Sequence, residues 1–105
     1  MFARHVSIEL KANSAPEFTR IIENEILPLL RKQKGFRDEI TFVAPERSQA
    51  LGISLWDTKG DAEAYNSAGY PEVLKGLSKV VEGTPKVETF EVANSTFAKS
   101  AVKTA

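Results

Sequence analysis

The sequence alternates between two kinds of apolar pattern, and the order of these patterns limits the fold most strongly. Period-two alternation predicts strands at 2–10, 36–44, 50–56 and 85–92. Apolar residues at helical spacing predict one helix after the first strand and another after the third. The order strand, helix, strand, strand, helix, strand predicts an α+β fold of the ferredoxin-like βαββαβ type. It has a four-stranded antiparallel sheet with the helices on one face.

The first helix carries its own boundary signals. Ser14 stands three residues before Glu17, which predicts a capped helix start, and Gly35 predicts the stop. Pro28 falls inside the helix and should kink it without ending it. The apolar stripe consists of Phe18, Ile21, Ile22, Ile26, Leu29 and Leu30.

The second helical region is interrupted. Thr58 with Asp61 predicts a capped start, and the segment 69–71 (Gly-Tyr-Pro) predicts two helical pieces with a hinge between them. The apolar stripe resumes at Val73 and continues to Val81. We assign residues 1–94 to one domain and 95–105 to a C-terminal segment, which is either an arm packed on a partner or a frayed tail.

Composition excludes several classes of protein. Fourteen basic residues balance fourteen acidic ones, which argues against a nucleic-acid partner. The absence of cysteine agrees with a reducing cytoplasm, and neither a signal peptide nor an apolar run of about 18 residues is present. We therefore expect a cytoplasmic protein without a membrane partner. At 105 residues the core is small, so self-association would add stability.

The strand pattern predicts which residues share each face of the sheet. We expect the helices to cover Val6, Ile8, Leu10, Ile40, Phe42, Leu51, Ile53 and Leu55. The opposite face would then carry His5, Ser7, Glu9, Arg37, Glu39, Thr41, Val43, Gly52, Ser54 and Trp56. This second face is either solvated or covered by a second copy of the sheet, which would make a semi-enclosed small-molecule cavity.

Several side chains on this face suggest roles in binding or catalysis. His5 is the only histidine and is a candidate general base or acid, or else a structural residue. Trp56 either stacks on an aromatic ligand or plugs the core, and Arg37 either holds an anion or pairs with a strand glutamate. Tyr65 and Tyr70 border the helix break and either gate a pocket or pack. We predict catalytic roles for His5 and Trp56. We predict ligand binding by Ser7, Arg37, Thr41, Ser54, Tyr65 and Tyr70.

Metal and cofactor signals are weak in this sequence. A single histidine and scattered carboxylates give no metal-site spacing. The six glycines are isolated, so neither a nucleotide loop nor a G-x-S-x-G elbow is present. We expect no metal and no cofactor.

Over roughly residues 2–92 the chain resembles the antibiotic biosynthesis monooxygenase family. The resemblance depends on Pro28-Leu29-Leu30 upstream of Gly35-Phe36, on Leu55-Trp56-Asp57, and on the helix start at 61–65. It implies a homodimeric α/β barrel with two sheets packed face to face. Some members oxygenate aromatic polyketides or quinols with dioxygen and neither metal nor flavin, and relatives degrade haem.

The chain departs from the family pattern at defined positions. Gly52 stands where some cofactor-free oxygenases have asparagine, and Ala62 stands where they have tyrosine. Residues 58–83 contain no histidine, which argues against haem degradation.

The leading hypothesis is a cofactor-independent monooxygenase acting on a small aromatic or quinol-like compound. His5 would accept a phenolic proton, Trp56 would stack on the substrate, and Arg37 or Ser54 would stabilise the oxyanion. The alternative is a binding or structural dimer without catalysis. A third hypothesis is an isomerase or decarboxylase that needs no oxygen.

Overall fold

Four antiparallel strands form one sheet in the order β2-β3-β1-β4 in the computed structural model, which describes residues 1–96. The strands are β1 (Phe2–Leu10), β2 (Phe36–Ala44), β3 (Gln49–Trp56) and β4 (Val81–Glu91). The helices are α1 (Ala15–Ile21), α2 (Leu27–Arg31), α3 (Lys59–Ala68) and α4 (Tyr70–Leu77). The predicted α+β ferredoxin-like fold is confirmed. Most of the predicted C-terminal segment, 95–105, lies outside the described residues.

The helical region before β2 is irregular near Pro28, where the sequence predicted a kink. A π-helical segment, Ile22–Ile26, joins α1 to α2 and ends two residues before Pro28. The Leu27 N–H donates to the Ile22 carbonyl, five residues back, so the wider turn accommodates a proline that has no N–H of its own. The predicted capping box is wrong, because the Ser14 side chain makes no capping bond to α1.

Thr58 caps α3 as predicted, since its hydroxyl oxygen accepts from the Asp61 N–H at 3.0 Å. The predicted break is also confirmed, because Gly69 separates α3 from α4. The prediction that the helix continues to Val81 is wrong. Val81 instead pairs with Leu10 and opens β4, because pairing with β1 outweighs the helical spacing of the apolar residues.

Strand register determines the two faces of the sheet. Four rows of cross-strand neighbours face the helices. In the order β1, β3, β2 they are Phe2, Trp56 and Phe36; Arg4, Ser54 and Glu39; Val6, Gly52 and Thr41; Ile8, Ala50 and Val43. The other face, which we call the outer face, carries His5, Ser7, Ile40, Phe42, Leu51, Ile53, Leu55, Glu88 and Phe90.

The face prediction is therefore correct for β1 and wrong for β2 and β3. Ile40, Phe42, Leu51, Ile53 and Leu55 lie on the outer face, whereas Ser54, Trp56, Glu39 and Thr41 lie beneath the helices. The reason is that apolar residues occupy both faces of these strands. Trp56 has no exposed surface, while Phe42 and Phe90 are about half exposed, at 50% and 52%. Counting apolar residues along β2 and β3 thus selects the wrong face.

Candidate functional site

A cavity of about 50 Å³ lies between the helix-facing side of the sheet and the helices. Its wall is mostly aliphatic, with contributions from both layers. The polar side chains in the wall are Arg4, Glu39, Thr41, Ser54, Tyr65 and Tyr70. An apolar cavity with a few converging polar groups has the usual composition of a small-molecule site.

Three of these residues form one row across the sheet. Ser54 pairs with Arg4 on one side and with Glu39 on the other. Since neighbouring strands lie roughly 5 Å apart, the row places a cation and a carboxylate about 10 Å apart at their Cα atoms. Arg4 is 2% exposed. The cavity thus has a positive group on β1 and a negative group on β2.

Arg4 is held without a carboxylate. Its guanidinium donates to Asn66 Oδ1 at 2.8 Å and lies over the rings of Tyr70 and Tyr65, at 4.4 and 4.9 Å from their centroids. Burial lowers the pKa of Arg4, and attraction to the two phenols partly opposes that effect. Among residues 1–96 no ion pair includes Arg4. The chain therefore presents a buried cation that an anionic ligand group would suit.

Glu39 is the acidic residue of the cavity wall and lies in the same row as Arg4. The Thr41 hydroxyl lies 2.8 and 3.1 Å from the two carboxylate oxygens and donates to them. Burial raises the pKa of Glu39, and the hydrogen bond from Thr41 partly lowers it. A Cβ at Gly52 would lie 3.3 Å from Glu39 Oε2, so the glycine gives this carboxylate its space. A half-buried carboxylate with a raised pKa in a cavity wall is a candidate general base or acid.

Aromatic rings form one end of the site. Trp56 stacks on Tyr65 with centroids 4.9 Å apart, and Tyr65 contacts Tyr70 at 6.1 Å. Burial raises the pKa of Tyr65 to about 12, although Arg4 opposes the rise. Among the described residues, 1–96, the buried hydroxyl of Tyr70 has no hydrogen-bond partner, and burial also raises the pKa of Tyr70. Tyr70 is thus a free donor in the cavity wall.

The structure separates the predicted site residues into groups. Thr41, Ser54, Tyr65 and Tyr70 line the cavity, and Trp56 packs directly behind Tyr65. His5 and Ser7 lie on the outer face instead, so the prediction that all these residues share one face is wrong.

His5 and Arg37 each face an acidic residue away from the cavity. The Nδ1 atom of His5 faces Glu88 Oε1 at 3.8 Å, beyond hydrogen-bond distance, and has no hydrogen-bond partner within residues 1–96. Arg37 is exposed and pairs with Asp57. The glutamate partners expected for Arg37 are therefore replaced by an aspartate at the end of β3.

Arg4 and Glu39 are the functional candidates that sequence reasoning missed. Arg4 has the same strand parity as Val6 and Ile8, so a charged residue on the apolar face of β1 was the signal. Glu39 was grouped correctly with Thr41 and Ser54, but on the face away from the helices and only as a possible partner for Arg37. Its partial burial depends on the helices above it, which strand parity does not show.

Residues 1–96 contain no cluster of three or more histidine, aspartate or glutamate side chains suited to a metal ion. In the same range, no helix is both long and apolar enough to span a membrane.

Comparison with known proteins gives a match in structure but not in sequence. No family model matches the chain, and no curated protein matches it. NE2512 from Nitrosomonas europaea, a protein of unknown function, has a TM-score of 0.78 at 15% identity, with 92% of this chain and 93% of that chain covered.

Two matched structures are oxygenases. The monooxygenase from the gene ActVA-Orf6 of Streptomyces coelicolor, solved with nanaomycin D, has a TM-score of 0.75 at 13% identity, with 92% and 91% covered. SnoaB from Streptomyces nogalater, a cofactor-independent oxygenase, has a TM-score of 0.73 at 12% identity, with 92% and 97% covered. Candidate antibiotic biosynthesis monooxygenases match as well. At these identities the similarity establishes the architecture, and this chain has the fold of the antibiotic biosynthesis monooxygenases.

Proposed function

We propose that this protein is a cofactor-independent monooxygenase that binds a small phenolic or quinol-like compound between its sheet and its helices. The observation that carries the proposal is the cavity itself. Within residues 1–96, it combines a buried cation without a carboxylate partner, a half-buried carboxylate without a cation, and a Tyr70 hydroxyl without a hydrogen-bond partner. The shared fold with oxygenases supports the reaction class.

Glu39 is the proposed base. Its carboxylate would accept the phenolic proton, while Thr41 keeps it oriented. The positive charge of Arg4 and the Tyr70 hydroxyl would stabilise the resulting oxyanion. His5 lies on the opposite side of the sheet from the cavity, so it has no part in this proposal.

Deprotonation prepares the substrate to react with dioxygen. The anion gives one electron to dioxygen, and the two radicals combine to form a carbon–oxygen bond. The protonated Glu39 returns its proton to the resulting peroxide anion, which gives the hydroperoxide. For an anthrone-type CH₂ group, loss of water from the hydroperoxide leaves a carbonyl. One oxygen atom enters the product and the other leaves as water. The methylene carbon supplies the two hydrogens of the water and the four electrons that reduce dioxygen. The protein contributes the base, the charge and the orientation.

Of the two roles predicted for Trp56, the core plug fits this proposal. Its side chain has no exposed surface, stacks on Tyr65 and does not line the cavity. We assign it as a positioning residue that fixes the Tyr65 ring.

The present cavity is too small for an aromatic ring. At about 50 Å³ it has room for a few water molecules, at about 10–15 Å³ each. Binding of an aromatic ring therefore requires a wall residue to move.

We also propose that the protein is a cytoplasmic homodimer joined through the outer face. Phe42, Leu51 and Phe90 are exposed there, beside Ile40 and Ile53. An apolar patch of this kind on a small domain is typical of an interaction surface. A second copy presents the same patch, so a twofold arrangement would cover both.

Dioxygen consumption tests the proposed reaction. We would measure uptake with an oxygen electrode, using protein dialysed against a chelator and a panel of hydroquinones and anthrones. We expect uptake by the parent protein, a loss of about 10²–10⁴-fold in Glu39→Gln, and near-parent rates in His5→Ala.

Other outcomes of this experiment would favour one of the alternative functions or refute the assigned base. Ligand binding without uptake would favour the non-catalytic binding dimer, and product formation without oxygen would favour an isomerase or decarboxylase. Parent-level uptake by Glu39→Gln would refute the assignment of the base.

A further inference from the structure

A second space lies on the other side of Arg4. This cleft of about 280 Å³ runs between α3 and the β1–β4 side of the sheet. It is lined by Phe2, Arg4, Lys59, Ala62, Glu63, Asn66, Val87 and Thr89. Within residues 1–96, Arg4 is the one residue that lines both this α3–β4 cleft and the sheet–helix cavity.

On the cleft side, the hydrogen-bond partner of Arg4 is a neutral group. Asn66 is exposed, and its amide oxygen accepts a hydrogen bond from the guanidinium, whereas Tyr65 and Tyr70 contact the guanidinium through their ring faces on the cavity side. A guanidinium has five N–H donors and binds a carboxylate through two parallel hydrogen bonds. Charge-assisted bonds of that kind are about twice as strong as neutral ones. A ligand carboxylate would therefore replace Asn66 readily.

The charges of the cleft favour an anion. Lys59, on the first turn of α3, adds a second cation to Arg4, and Glu63 is the one acidic residue in the lining. Across the part of the chain that the structure describes, neither Lys59 nor Glu63 takes part in an ion pair. The cleft thus has a net positive charge, which attracts anions toward Arg4.

We infer that the α3–β4 cleft is an acid-binding subsite and the access route to the cavity, and that the ligand is an aromatic compound carrying a carboxylate. The carboxylate would take the place of Asn66 at Arg4, with Lys59 at the rim, and the ring would lie in the sheet–helix cavity. This inference rests on the proposed function, since it names the substrate class for that site.

A movable Arg4 would also explain how so small a cavity admits a ligand. Movement of the Arg4 side chain would join the two spaces, because both have Arg4 in their walls. Joined, they reach the lower end of the range for small-molecule sites, roughly 300–1,000 Å³. The residue that recognises the acid would then also open the site.

Calorimetric binding of two matched probes tests the inference. 1-Hydroxy-2-naphthoate carries both the phenol and the carboxylate, whereas 1-naphthol lacks the carboxylate. For the parent protein we expect the acid to bind at least about tenfold more tightly. Lys59→Gln should weaken binding of the acid about two- to fivefold and leave 1-naphthol unchanged. Lys75→Gln removes an exposed lysine outside the cleft and is the matched control.

Two variants test the exchange of partners at Arg4. Asn66→Ala should strengthen binding of the acid by a fewfold, because the ligand no longer competes with the amide; a merely structural asparagine would give no gain. Arg4→Gln should reduce binding of the acid at least tenfold, and a thermal melt would check that this variant folds.

The outcomes distinguish a failure of the acid-binding subsite from a failure of the oxygenase proposal. Equal binding of both probes by the parent would refute the acid subsite while leaving the oxygenase proposal intact. Unchanged acid binding in both Lys59→Gln and Asn66→Ala would refute it as well. Failure of both probes to bind would overturn the inference and remove support for the aromatic site.

Discussion

Trp56 and Tyr65 stack with ring centroids 4.9 Å apart and an interplanar angle of 27°. Tyr65 in turn contacts Tyr70, and both tyrosines lie under the Arg4 guanidinium. One series of contacts therefore joins β3, α3, α4 and β1. The position of the Tyr65 ring determines where the cation at the cavity wall can lie.

The Tyr65 ring needs a glycine beside it. A Cβ at Gly69 would lie 2.7 and 2.9 Å from the Tyr65 ring carbons, closer than real contacts allow. Gly69→Ala should therefore push the ring toward Arg4 and reduce the free energy of unfolding by about 1–3 kcal/mol. Urea denaturation would measure the loss.

Gly60→Ala is the matched control for this prediction. A Cβ at Gly60 would meet only the Thr58 Oγ1 atom, at 3.7 Å, an ordinary contact. Since Gly60 lies in the first turn of α3, alanine there should be neutral or stabilising by up to about 1 kcal/mol. Equal losses in the two variants would show that helix propensity, and not the Tyr65 contact, decides the result.

A second prediction concerns the indole nitrogen of Trp56. Its N–H donates to Ser54 Oγ at 2.9 Å, in a fully buried position. Ser54→Ala should leave this donor unpaired and lower the free energy of unfolding by about 1–3 kcal/mol. Chemical denaturation of the purified variant provides the number.

A double-mutant cycle isolates that hydrogen bond. In a Trp56→Phe background the donor is absent, so adding Ser54→Ala should cost much less than it does in the parent. An identical cost in both backgrounds would mean that Ser54 stabilises the sheet by some means other than the indole bond.

The third prediction concerns stability against pH. Burial raises the pKa of Glu39, so its folded-state pKa lies above the unfolded value of about 4.3. The stability associated with this group is fully present below the unfolded pKa and is lost as the pH rises through the folded-state pKa. Glu39→Gln should therefore be more stable than the parent at pH 7. The advantage should shrink toward zero below about pH 4.

Thermal melts at several pH values would measure the difference between Glu39→Gln and the parent. Glu72→Gln, an exposed substitution on α4, controls for the change in net charge. If Glu39→Gln is less stable than the parent at pH 7, the carboxylate is not buried at an energetic cost and the proposed base loses its physical basis.

Sequence patterns predicted the architecture well because each element carries local signals. Thr58 caps α3, Gly35 adopts φ of 80° where the first helical region ends, and Pro28 marks the π-helical segment. Each signal acts within a few residues, so one sequence suffices to detect it.

The site was harder to predict because it depends on which face the helices cover. β2 and β3 carry apolar side chains on both faces, so Ile53 and Phe42 indicated the wrong one. Arg4 stands among apolar residues of β1, and its partners Asn66 and Tyr70 are more than sixty residues away. No local pattern links positions so distant in the chain.

The last prediction concerns the outer face and its occupant. Phe42 is 50% exposed and pairs across the sheet with Leu51, which is 37% exposed. If a second copy covers this surface, a buried charge at position 42 would cost far more than the apolar contact it replaces. We expect the parent to sediment as a dimer at micromolar concentration and Phe42→Glu to sediment as a monomer with an unchanged circular dichroism spectrum. Ser67→Glu, exposed on α3, is the control and should remain dimeric. A monomeric parent, or a dimeric Phe42→Glu variant, would contradict the proposed interface.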